Sequence, residues 1–383
     1  MNTHDVLAYA VAQEAVRRLR DGAAPWNALF SSSAYITASR AWPIPDFVLV
    51  DSGNELTIAA EFKPPLQSKR EYLTGLGQAI SYSKDFHYAL LVLPDIADDG
   101  YRIANHVVDV LQQSTLENVP VGVLSYDPAK FSPLNPSFTE AHFFSPRTTA
   151  PTSLAHLDKS FYAKWREMSP QEALLYLSFC YDEMRSPSPH TGTIRDRAFE
   201  RLWLQIQAGK VCHWAGGTRH YATGSKTGVN KNYRNFFFHI GWIEADGALT
   251  REGLEALHVG TLYGSSSRPF LDTIATAALT TGKHLILFNA ISEFQDSLGG
   301  AFPEEKDWLD QLEEYLEMKG LLKRNPERGA AAVRGSARQF LKAEKQFWKN
   351  LELIVPRKSR VFHPGRGFIF NWSRITDLLQ AVR

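Results

Sequence analysis

The sequence predicts an α/β fold, in which helices flank a central mixed sheet, followed by a mainly helical region. Helical spacing of apolar residues alternates with short apolar runs up to about residue 127, which is typical of such a sheet. A stretch rich in Pro, Ser and Thr at 128–155 indicates a domain connection, and helical patterns dominate after it. A chain of 383 residues is long enough for two or three domains.

Each element of the first domain follows from its local pattern. Apolar residues at helical spacing predict a helix over 4–20, which Asp21-Gly22 ends. The segments DFVLVD and ELTIAAEF predict two strands joined by a Ser-Gly-Asn turn. A helix over 68–85, for which Ser68 is a possible cap, precedes the buried strand HYALLVLPD. The helix GYRIANHVVDVLQQ and the strand VPVGVLSYD complete the predicted order.

The helical region contains one segment with a recognisable order. In NYRNFFFHIGWIEADGALTREGLEALHVG a helix leads into a Gly-Trp-Ile-Glu strand, a tight Asp-Gly turn and a new helix capped by Thr250. This order resembles winged-helix DNA-binding modules. The region from WLDQLEEYLEMKGLL to RVFHPGRGFIFNW again pairs a helix with a strand. We therefore expect domains at 1–145, 146–280 and 281–383, the last two winged-helix-like.

Composition argues against several classes of protein. Cys180 and Cys212 are the two cysteines, too few for a disulfide framework or a four-cysteine zinc site. No window holds the roughly 18 apolar residues of a membrane span, and the N-terminal segment lacks a signal-peptide run. We expect a cytoplasmic protein with no membrane partner.

Charge is unevenly distributed although the net charge is only +1. Between Arg185 and Arg234 nine Lys or Arg residues face two acids, and between Lys323 and Arg374 thirteen face three. Basic segments on an otherwise acidic chain indicate surfaces for a polyanion. The alternative is a solvated helix face.

Three charged residues are predicted to converge at one end of the first hairpin. If its centre lies between Ser52 and Gly53, paired residue numbers sum to 105, so Asp46 faces Ala59. Because side chains alternate with period two, Asp46, Glu61 and Lys63 then share one face. Two carboxylates and a lysine beside a sheet are costly unless they hold a metal ion and a substrate. The alternative is a strand cap at Asp46 and a cross-strand surface pair of Glu61 with Lys63.

Pro45-Asp46 followed by Glu61-Phe62-Lys63 matches the motif of the PD-(D/E)XK nuclease superfamily, and the predicted element order resembles that family's core over about the first 130 residues. With the winged-helix-like region, the chain resembles a type II restriction endonuclease. The resemblance implies that Asp46, Glu61 and the Phe62 carbonyl hold Mg²⁺, while Lys63 orients or deprotonates the attacking water.

Other positions are weaker candidates. Gln78-Ala-Ile-Ser-Tyr82 resembles the Gln-x-x-x-Tyr element of some branches of the family, although these two residues could form a helix hydrogen-bond pair. Glu14 is a possible extra metal ligand, as in some family members; the alternative is a surface pair with Arg17 or Arg18.

The predicted DNA contacts lie on the basic segments and beside the nuclease motif. In GSKTGVNKNYRNFFFHIGW, basic and amide residues precede an apolar run, the order expected of a recognition helix. A competing interpretation places base reading at 357–366. The predicted contacts are Lys69, Arg70, Gln78, Tyr82, Arg219, Lys226, Asn230, Lys231, Asn232, Arg234, Arg360 and Arg366.

These features predict a Mg²⁺-dependent, sequence-specific endonuclease of double-stranded DNA that acts as a homodimer, since a two-fold cut needs two cores. The alternatives are a nuclease subunit of a transposition or repair complex, a DNA-binding regulator with an inactive nuclease core, and a glycosidase using Asp46 and Glu61.

Overall fold

The computed structural model describes residues 3–39, 42–112, 119–143, 161–165, 168–214, 217–218, 226–322, 341–358 and 360–380. The chain divides into two compact units. Unit 1 comprises Met1–Phe161 with Glu314–Arg324, and unit 2 comprises Tyr162–Glu313 with Asn325–Arg383. The three predicted domain ranges stay predictions.

Unit 1 contains a mixed six-stranded sheet in which the strands follow their order in the chain. Parallel pairing joins the third strand to the fourth and the fourth to the fifth, and the other neighbours are antiparallel. This confirms the predicted α/β fold with a mixed sheet. The strands are β1 (Ala34–Thr37), β2 (Phe47–Asp51), β3 (Leu56–Phe62), β4 (Tyr88–Pro94), β5 (Val121–Tyr126) and β6 (Thr139–His142).

Helices flank this sheet. They are α1 (Thr3–Arg20), the short α2 (Trp26–Leu29), α3 (Lys69–Tyr82) and α4 (Ile103–Gln112). Helix α1 packs along β1 and β2, whereas α3 and α4 pack on β3, β4 and β5. Val48, Ala59 and Leu91 belong to the buried cluster under α3 and α4. Because side chains alternate along a strand, Glu61 shares the face of Ala59, toward α3.

Two strands were not predicted from the sequence. β1 has only four residues, and β6, with the sequence TEAH, lies inside the stretch that was interpreted as a domain connection. TEAH has no apolar residue larger than alanine and is half-buried to exposed. Its strand conformation comes from pairing with β5, which no local pattern indicates.

The register of the β2–β3 hairpin differs from the prediction by two residues. Val48 pairs with Ala59, so paired numbers sum to 107 and Asp46 lies opposite Glu61 instead of Ala59. The turn is wider because the Asp51 carboxylate accepts hydrogen bonds from the backbone N–H groups of Gly53 at 3.1 Å and Asn54 at 3.3 Å. A shift of two residues preserves the faces, so the predicted shared face of Asp46 and Glu61 is retained.

The rest of the chain is mainly helical, as predicted. Its helices are α5 (Pro170–Arg185), α6 (Ile194–Gln207), α7 (Lys226–His239), α8 (Arg251–Tyr263), α9 (Arg268–Leu279), α10 (His284–Ser297), α11 (Glu305–Met318), α12 (Lys342–Asn350) and α13 (Trp372–Gln380), with a two-stranded sheet of β7 (Phe362–His363) and β8 (Gly367–Phe368). The predicted cap at Thr250 is present, since its hydroxyl accepts from Gly253 N–H at 3.1 Å.

Among the described residues, no single helix has both the length and the apolar character to cross a bilayer. Helices α9 and α10 have the required length and composition only when they are counted together, and the pair is bent by 66°.

The C-terminal end of α7 closes with Schellman-type backbone hydrogen bonds, which also end α1, α6, α9 and α11, and it additionally accepts a bond from the start of α8. Ile240 N–H donates to the Phe236 carbonyl at 3.0 Å, and Trp242 N–H donates to the Phe237 carbonyl at 2.9 Å. After a hairpin, Thr250 N–H donates to the Trp242 carbonyl at 3.1 Å and α8 begins. We call α7, this hairpin and α8 the first repeat.

The same bonds recur after α12. Leu351 N–H donates to the Phe347 carbonyl at 3.0 Å, and Leu353 N–H donates to the Trp348 carbonyl at 2.8 Å. After the β7–β8 hairpin, Asn371 N–H donates to the Leu353 carbonyl at 2.9 Å and α13 begins. We call α12, this hairpin and α13 the second repeat. Unit 2 therefore contains one structural arrangement twice.

Candidate active site

Asp46, Glu61 and Lys63 lie together at the ends of β2 and β3. Asp46 precedes β2 and faces Glu61 across the hairpin, while Lys63 follows the last residue of β3. Lys63 Nζ is 2.8 Å from Glu61 Oε1. The Asp46 side chain is 20% exposed and that of Glu61 is 5% exposed. The cluster therefore opens to solvent on the side of Asp46.

Backbone groups fix the position of Asp46 relative to β3. Its Oδ2 atom accepts a hydrogen bond from Phe62 N–H at 2.7 Å, and its own N–H donates to the Ala60 carbonyl at 3.0 Å. The hydroxyl group of Tyr126, on β5, donates to the Lys63 carbonyl at 2.7 Å. The bonds of Asp46 extend the hairpin pairing beyond the end of β2, so its carboxylate is held by the backbone of β3.

Gln78 and Tyr82, one turn apart on α3, both contact the cluster. Lys63 Nζ donates to Gln78 Oε1 at 3.0 Å, and the Tyr82 hydroxyl donates to Glu61 Oε2. Gln78 therefore contacts the residue that follows β3 and Tyr82 contacts Glu61 of β3, and a Gln78–Tyr82 pair is not among the hydrogen bonds of the described residues. Tyr82 is buried, at 1% exposure, so it lies behind Glu61 and its predicted DNA contact has no surface in this arrangement.

The electrostatics of the cluster are those of crowded negative charge. Burial, followed by the charge of Glu61, raises the pKa of Asp46 to about 6. Burial and the neighbouring Glu61 carboxylate also raise the pKa of Tyr82, so this phenol stays protonated and remains a donor. A cation placed between these carboxylates relieves their repulsion.

His4 adjoins the cluster and was missed by the sequence analysis. Its Nε2 atom donates to the Phe62 carbonyl at 3.0 Å and lies 3.6 Å from Asp46 Oδ2. The pKa of His4 is raised, chiefly by its hydrogen bond to Asp5. The sequence could have indicated that His4 faces the sheet, because it lies one turn before Leu7 and two turns before Val11, which are both buried.

Glu14 is not part of the cluster in this structure. Its Oε2 atom accepts from Arg17 Nε at 2.8 Å, and its Oε1 atom accepts from Arg18 Nε at 2.9 Å. Both carboxylate oxygens are thus occupied by neighbours on α1. The structure shows the alternative interpretation, a helix residue paired with Arg17 and Arg18.

The donor chemistry of the cluster fits a hard divalent cation. Asp46, Glu61 and the Phe62 carbonyl offer oxygen atoms, which Mg²⁺ prefers, and burial followed by the charge of Glu61 raises the pKa of Asp46. In the described part of the chain, no group of three or more His, Cys, Asp or Glu residues is arranged to hold a metal ion. The set therefore depends on two carboxylates and a backbone oxygen. In this structure Lys63 and Tyr82 engage the Glu61 oxygens and His4 engages the Phe62 carbonyl, so Lys63 and His4 would have to shift to admit an ion.

No protein-family model and no curated protein matches the chain. The geometry of the cluster and the charge of unit 2 therefore carry the functional argument.

The predicted DNA contacts of unit 1 lie at the start of α3. Lys69 is paired with Asp99 at 2.5 Å and lies 4.3 Å from the centre of the Tyr101 ring. Arg70 is exposed. These two side chains lie two to three turns before Gln78 on the same helix.

In unit 2 the predicted contacts differ in exposure. Lys226 is paired with Glu200 at 2.7 Å. Lys231, Arg360 and Arg366 are exposed, whereas Asn230, Asn232 and Arg234 are half-buried. Arg219 lies outside the described residues. Asn235, one turn after Lys231 on α7, is also exposed.

Proposed function

We propose that the protein is a Mg²⁺-dependent endonuclease of double-stranded DNA, with the cluster in unit 1 as its cutting site and unit 2 as its DNA-binding part. The observation that carries the proposal is the convergence of Asp46, Glu61 and Lys63 at one end of the β2–β3 hairpin. Hydrolysis of a phosphodiester needs a cation to neutralise the phosphate and a group to manage the attacking water. These residues supply the ligands and that group.

The roles follow from the contacts. Asp46, Glu61 and the Phe62 carbonyl would hold Mg²⁺, which would supply charge neutralisation at the scissile phosphate. Lys63 would orient the attacking water or receive its proton after losing its own. Gln78 holds the Lys63 ammonium group through its amide oxygen, and Tyr82 fixes the Glu61 carboxylate. Both are positioning residues, since Gln78 acts through Lys63 and Tyr82 acts through Glu61.

Three variants test the cutting site, namely Asp46→Ala, Glu61→Ala and Lys63→Ala. Cleavage of supercoiled plasmid with Mg²⁺ should fall by about 10²–10⁴-fold in each, whereas gel-shift binding of DNA should survive. Glu71→Ala is the matched control, because Glu71 is an exposed acid on α3. Wild-type cleavage by any of the three variants would remove that residue from the site.

The plasmid assay also separates the proposal from its main alternative. Cutting at discrete positions by the purified protein favours a restriction-type endonuclease. Cutting that appears only after a partner protein is added favours a nuclease subunit of a transposition or repair complex. If the protein binds DNA but does not cut it in the presence of Mg²⁺, the remaining interpretation is a DNA-binding regulator with an inactive nuclease core.

We further propose that two copies act on one site, since each core holds one cluster and a double-strand cut at a two-fold target needs two. Sedimentation with and without target DNA measures this. A monomer on DNA that nicks a single strand would contradict the dimer and leave the chemistry of the cluster intact.

The proposed DNA-binding role of unit 2 is supported by the winged-helix-like order of the first repeat. Helix α7 carries Lys231 and Asn235 on its exposed side, while Tyr233, Phe236 and Phe237 are buried. A helix with a polar exposed face and an anchored apolar face suits insertion into the major groove. The Asp246-Gly247 turn, where Gly247 has φ +98°, forms the tip of the hairpin, and the Asp246 carbonyl accepts a hydrogen bond from Arg195 N–H at 3.0 Å.

A further inference from the structure

Two adjoining cavities lie in unit 2 beside the second repeat. One, of about 900 Å³, lies between the first turn of α11, α12 and the chain around the β7–β8 hairpin. The other, of about 440 Å³, follows the exposed side of α12. Glu305, Lys345 and Arg360 line both, so the two cavities form one continuous cleft.

The lining of this cleft is strongly positive. Its two carboxylates are Glu304 and Glu305, and Glu305 is 3.2 Å from Lys345 Nζ. Within the described part of the chain, no ion pair engages Arg357, Lys358 or Arg360, and all three are exposed. We call the set of seven cations that line it the basic cleft: Lys306, Lys342, Lys345, Lys349, Arg357, Lys358 and Arg360.

The hydrogen bonds shared by the two repeats give a second observation. Among the described residues, the bonds that span a hairpin, from Thr250 to Trp242 and from Asn371 to Leu353, are particular to these two helix ends. The shared bonds align Phe347 with Phe236 and Leu351 with Ile240, and therefore α12 with α7. Counting back from these positions places Lys342 at the position of Lys231, Lys345 at that of Arg234 and Gln346 at that of Asn235. The face of α12 that lines the basic cleft is thus the counterpart of the exposed polar face of α7.

We propose that the basic cleft binds the sugar–phosphate backbone of double-stranded DNA. The inference rests on the proposed function and deepens it, because it names the surface that holds the duplex. Lys342, Lys345 and Lys349 follow one side of α12 at spacings of three and four residues and span about 10 Å, enough to meet more than one phosphate of a strand. Lysine ammonium groups act as point charges and contact phosphate more than base edges. The second repeat therefore positions the duplex, and the first repeat, with its amide side chains, reads it.

The test is the salt dependence of duplex binding by the variant Lys342→Gln/Arg357→Gln/Arg360→Gln. Each phosphate contact contributes about 0.9 to the slope of log K against log salt. The magnitude of the slope should fall by about 2 to 3, and affinity near 0.1 M salt should fall at least about tenfold. Binding is measured by fluorescence anisotropy in EDTA, so a failure of the proposed nuclease activity leaves the readout intact.

Two matched variants complete the experiment. Lys84→Gln/Arg102→Gln/Lys130→Gln removes three exposed cations of unit 1 and should leave the slope unchanged. Lys342→Arg/Arg357→Lys/Arg360→Lys keeps the charge and should keep the wild-type slope. If the triple glutamine variant has a lower Tm than the wild type, the salt dependence of the single variant Lys342→Gln is measured instead. The magnitude of its slope should fall by about 1.

The proposal is overturned if the glutamine variants bind duplex DNA with the wild-type slope. It is also overturned if they bind DNA normally but lose binding to a fluorescent poly-glutamate peptide, since the cleft would then be a site for an acidic protein segment.

Discussion

Gly75 of α3 lies against the side chain of Lys63. A β-carbon at residue 75 would stand 2.6 Å from Lys63 Cε and 3.0 Å from Lys63 Cγ. The helix can approach the end of β3 only because this residue lacks a side chain. The close approach brings Gln78, one turn later, to the Lys63 ammonium group.

Gly75→Ala should lower plasmid cleavage by about 10- to 100-fold without unfolding the protein. The new methyl group displaces the flexible end of Lys63, so the ammonium group leaves its place beside Glu61. Gly77→Ala is the control, because a β-carbon there meets no atom within 4 Å, and alanine should stabilise the helix by up to about 1 kcal/mol. Wild-type cleavage by Gly75→Ala would show that the position of Lys63 does not matter.

The part of the site that could be predicted from the sequence is the part set by strand periodicity. The shared face of Asp46, Glu61 and Lys63 follows from period two, and it survives a register error of two residues. The register itself depends on the hydrogen bonds that the Asp51 carboxylate accepts from the turn backbone. The sequence was compatible both with the narrower predicted turn and with the wider observed one. His4 reaches Asp46 through the packing of α1 on the sheet, a contact 42 residues distant in the chain.

The fold was predicted best where apolar runs are long. β4 and β5 are buried at every residue, whereas the unpredicted β6 is exposed or half-buried throughout. The repeat in unit 2 was not clear from the sequence because its two copies share backbone hydrogen bonds, which do not require the same side chains. Phe236-Phe237 and Phe347-Trp348 keep aromatic character, but the two hairpins that follow differ in length.

Asp46→Asn should make the metal-free protein more stable at pH 8. The folded pKa of Asp46 is about 6, above the ordinary value of 3.8, so the folded protein favours the protonated form. The corresponding stability is present below about pH 4 and is lost as the pH rises to 6. Asparagine removes that loss, and the free energy of unfolding should rise by about 1–3 kcal/mol at pH 8 but hardly at pH 4. Urea unfolding at both pH values, in EDTA, measures the difference.

Adding Mg²⁺ provides the control for this variant. At pH 8 the wild type should gain stability with the Mg²⁺ concentration, because the ion binds only the folded cluster. Asp46→Asn should gain little, since it lacks one charged ligand. A variant that is less stable than the wild type at pH 8 in EDTA would mean that the contacts of the Asp46 carboxylate outweigh the cost of its burial and of the nearby Glu61 charge.

Tyr82→Phe should reduce cleavage by about 10- to 100-fold and lower the free energy of unfolding by about 1–2 kcal/mol. The change removes the hydroxyl that donates to Glu61 and keeps the ring in its buried place. Tyr72→Phe is the matched control on the same helix, since the hydrogen bonds of its hydroxyl are to the backbone of Gln67 and Pro64. Equal loss of cleavage in both variants would indicate a general weakening of α3 rather than a role at Glu61.

The two repeats should respond alike to loss of their helix caps. Thr250 Oγ1 accepts from Gly253 N–H at 3.1 Å and donates to the Gly241 carbonyl. Asn371 accepts from Arg374 N–H at 3.2 Å and donates to the Glu352 carbonyl at 3.1 Å. Thr250→Ala and Asn371→Ala should each cost about 1–2 kcal/mol of unfolding free energy in denaturant titrations. A negligible effect of Asn371→Ala would show that the second cap is not equivalent to the first.

Base reading should depend on the exposed face of α7. Arg234 and Asn235 lie three and four residues after the exposed Lys231 and therefore on its side of the helix, and their side chains can make bidentate contacts to guanine and adenine. Arg234→Ala or Asn235→Ala should each reduce discrimination between cognate and single-base variant sites by about 1–3 kcal/mol, measured by competition binding.

Comparison of α7 substitutions then locates the reading face. Lys231→Ala should weaken binding to all duplexes alike, because a lysine there contacts phosphate. Asn232, predicted from the sequence as a contact, lies about 100° from Lys231 around the helix and is half-buried, so Asn232→Ala should affect discrimination less than Asn235→Ala. If Asn232→Ala has the larger effect, α7 enters the groove on a different face. If neither substitution changes specificity while Arg360→Ala or Arg366→Ala does, the second repeat reads the bases.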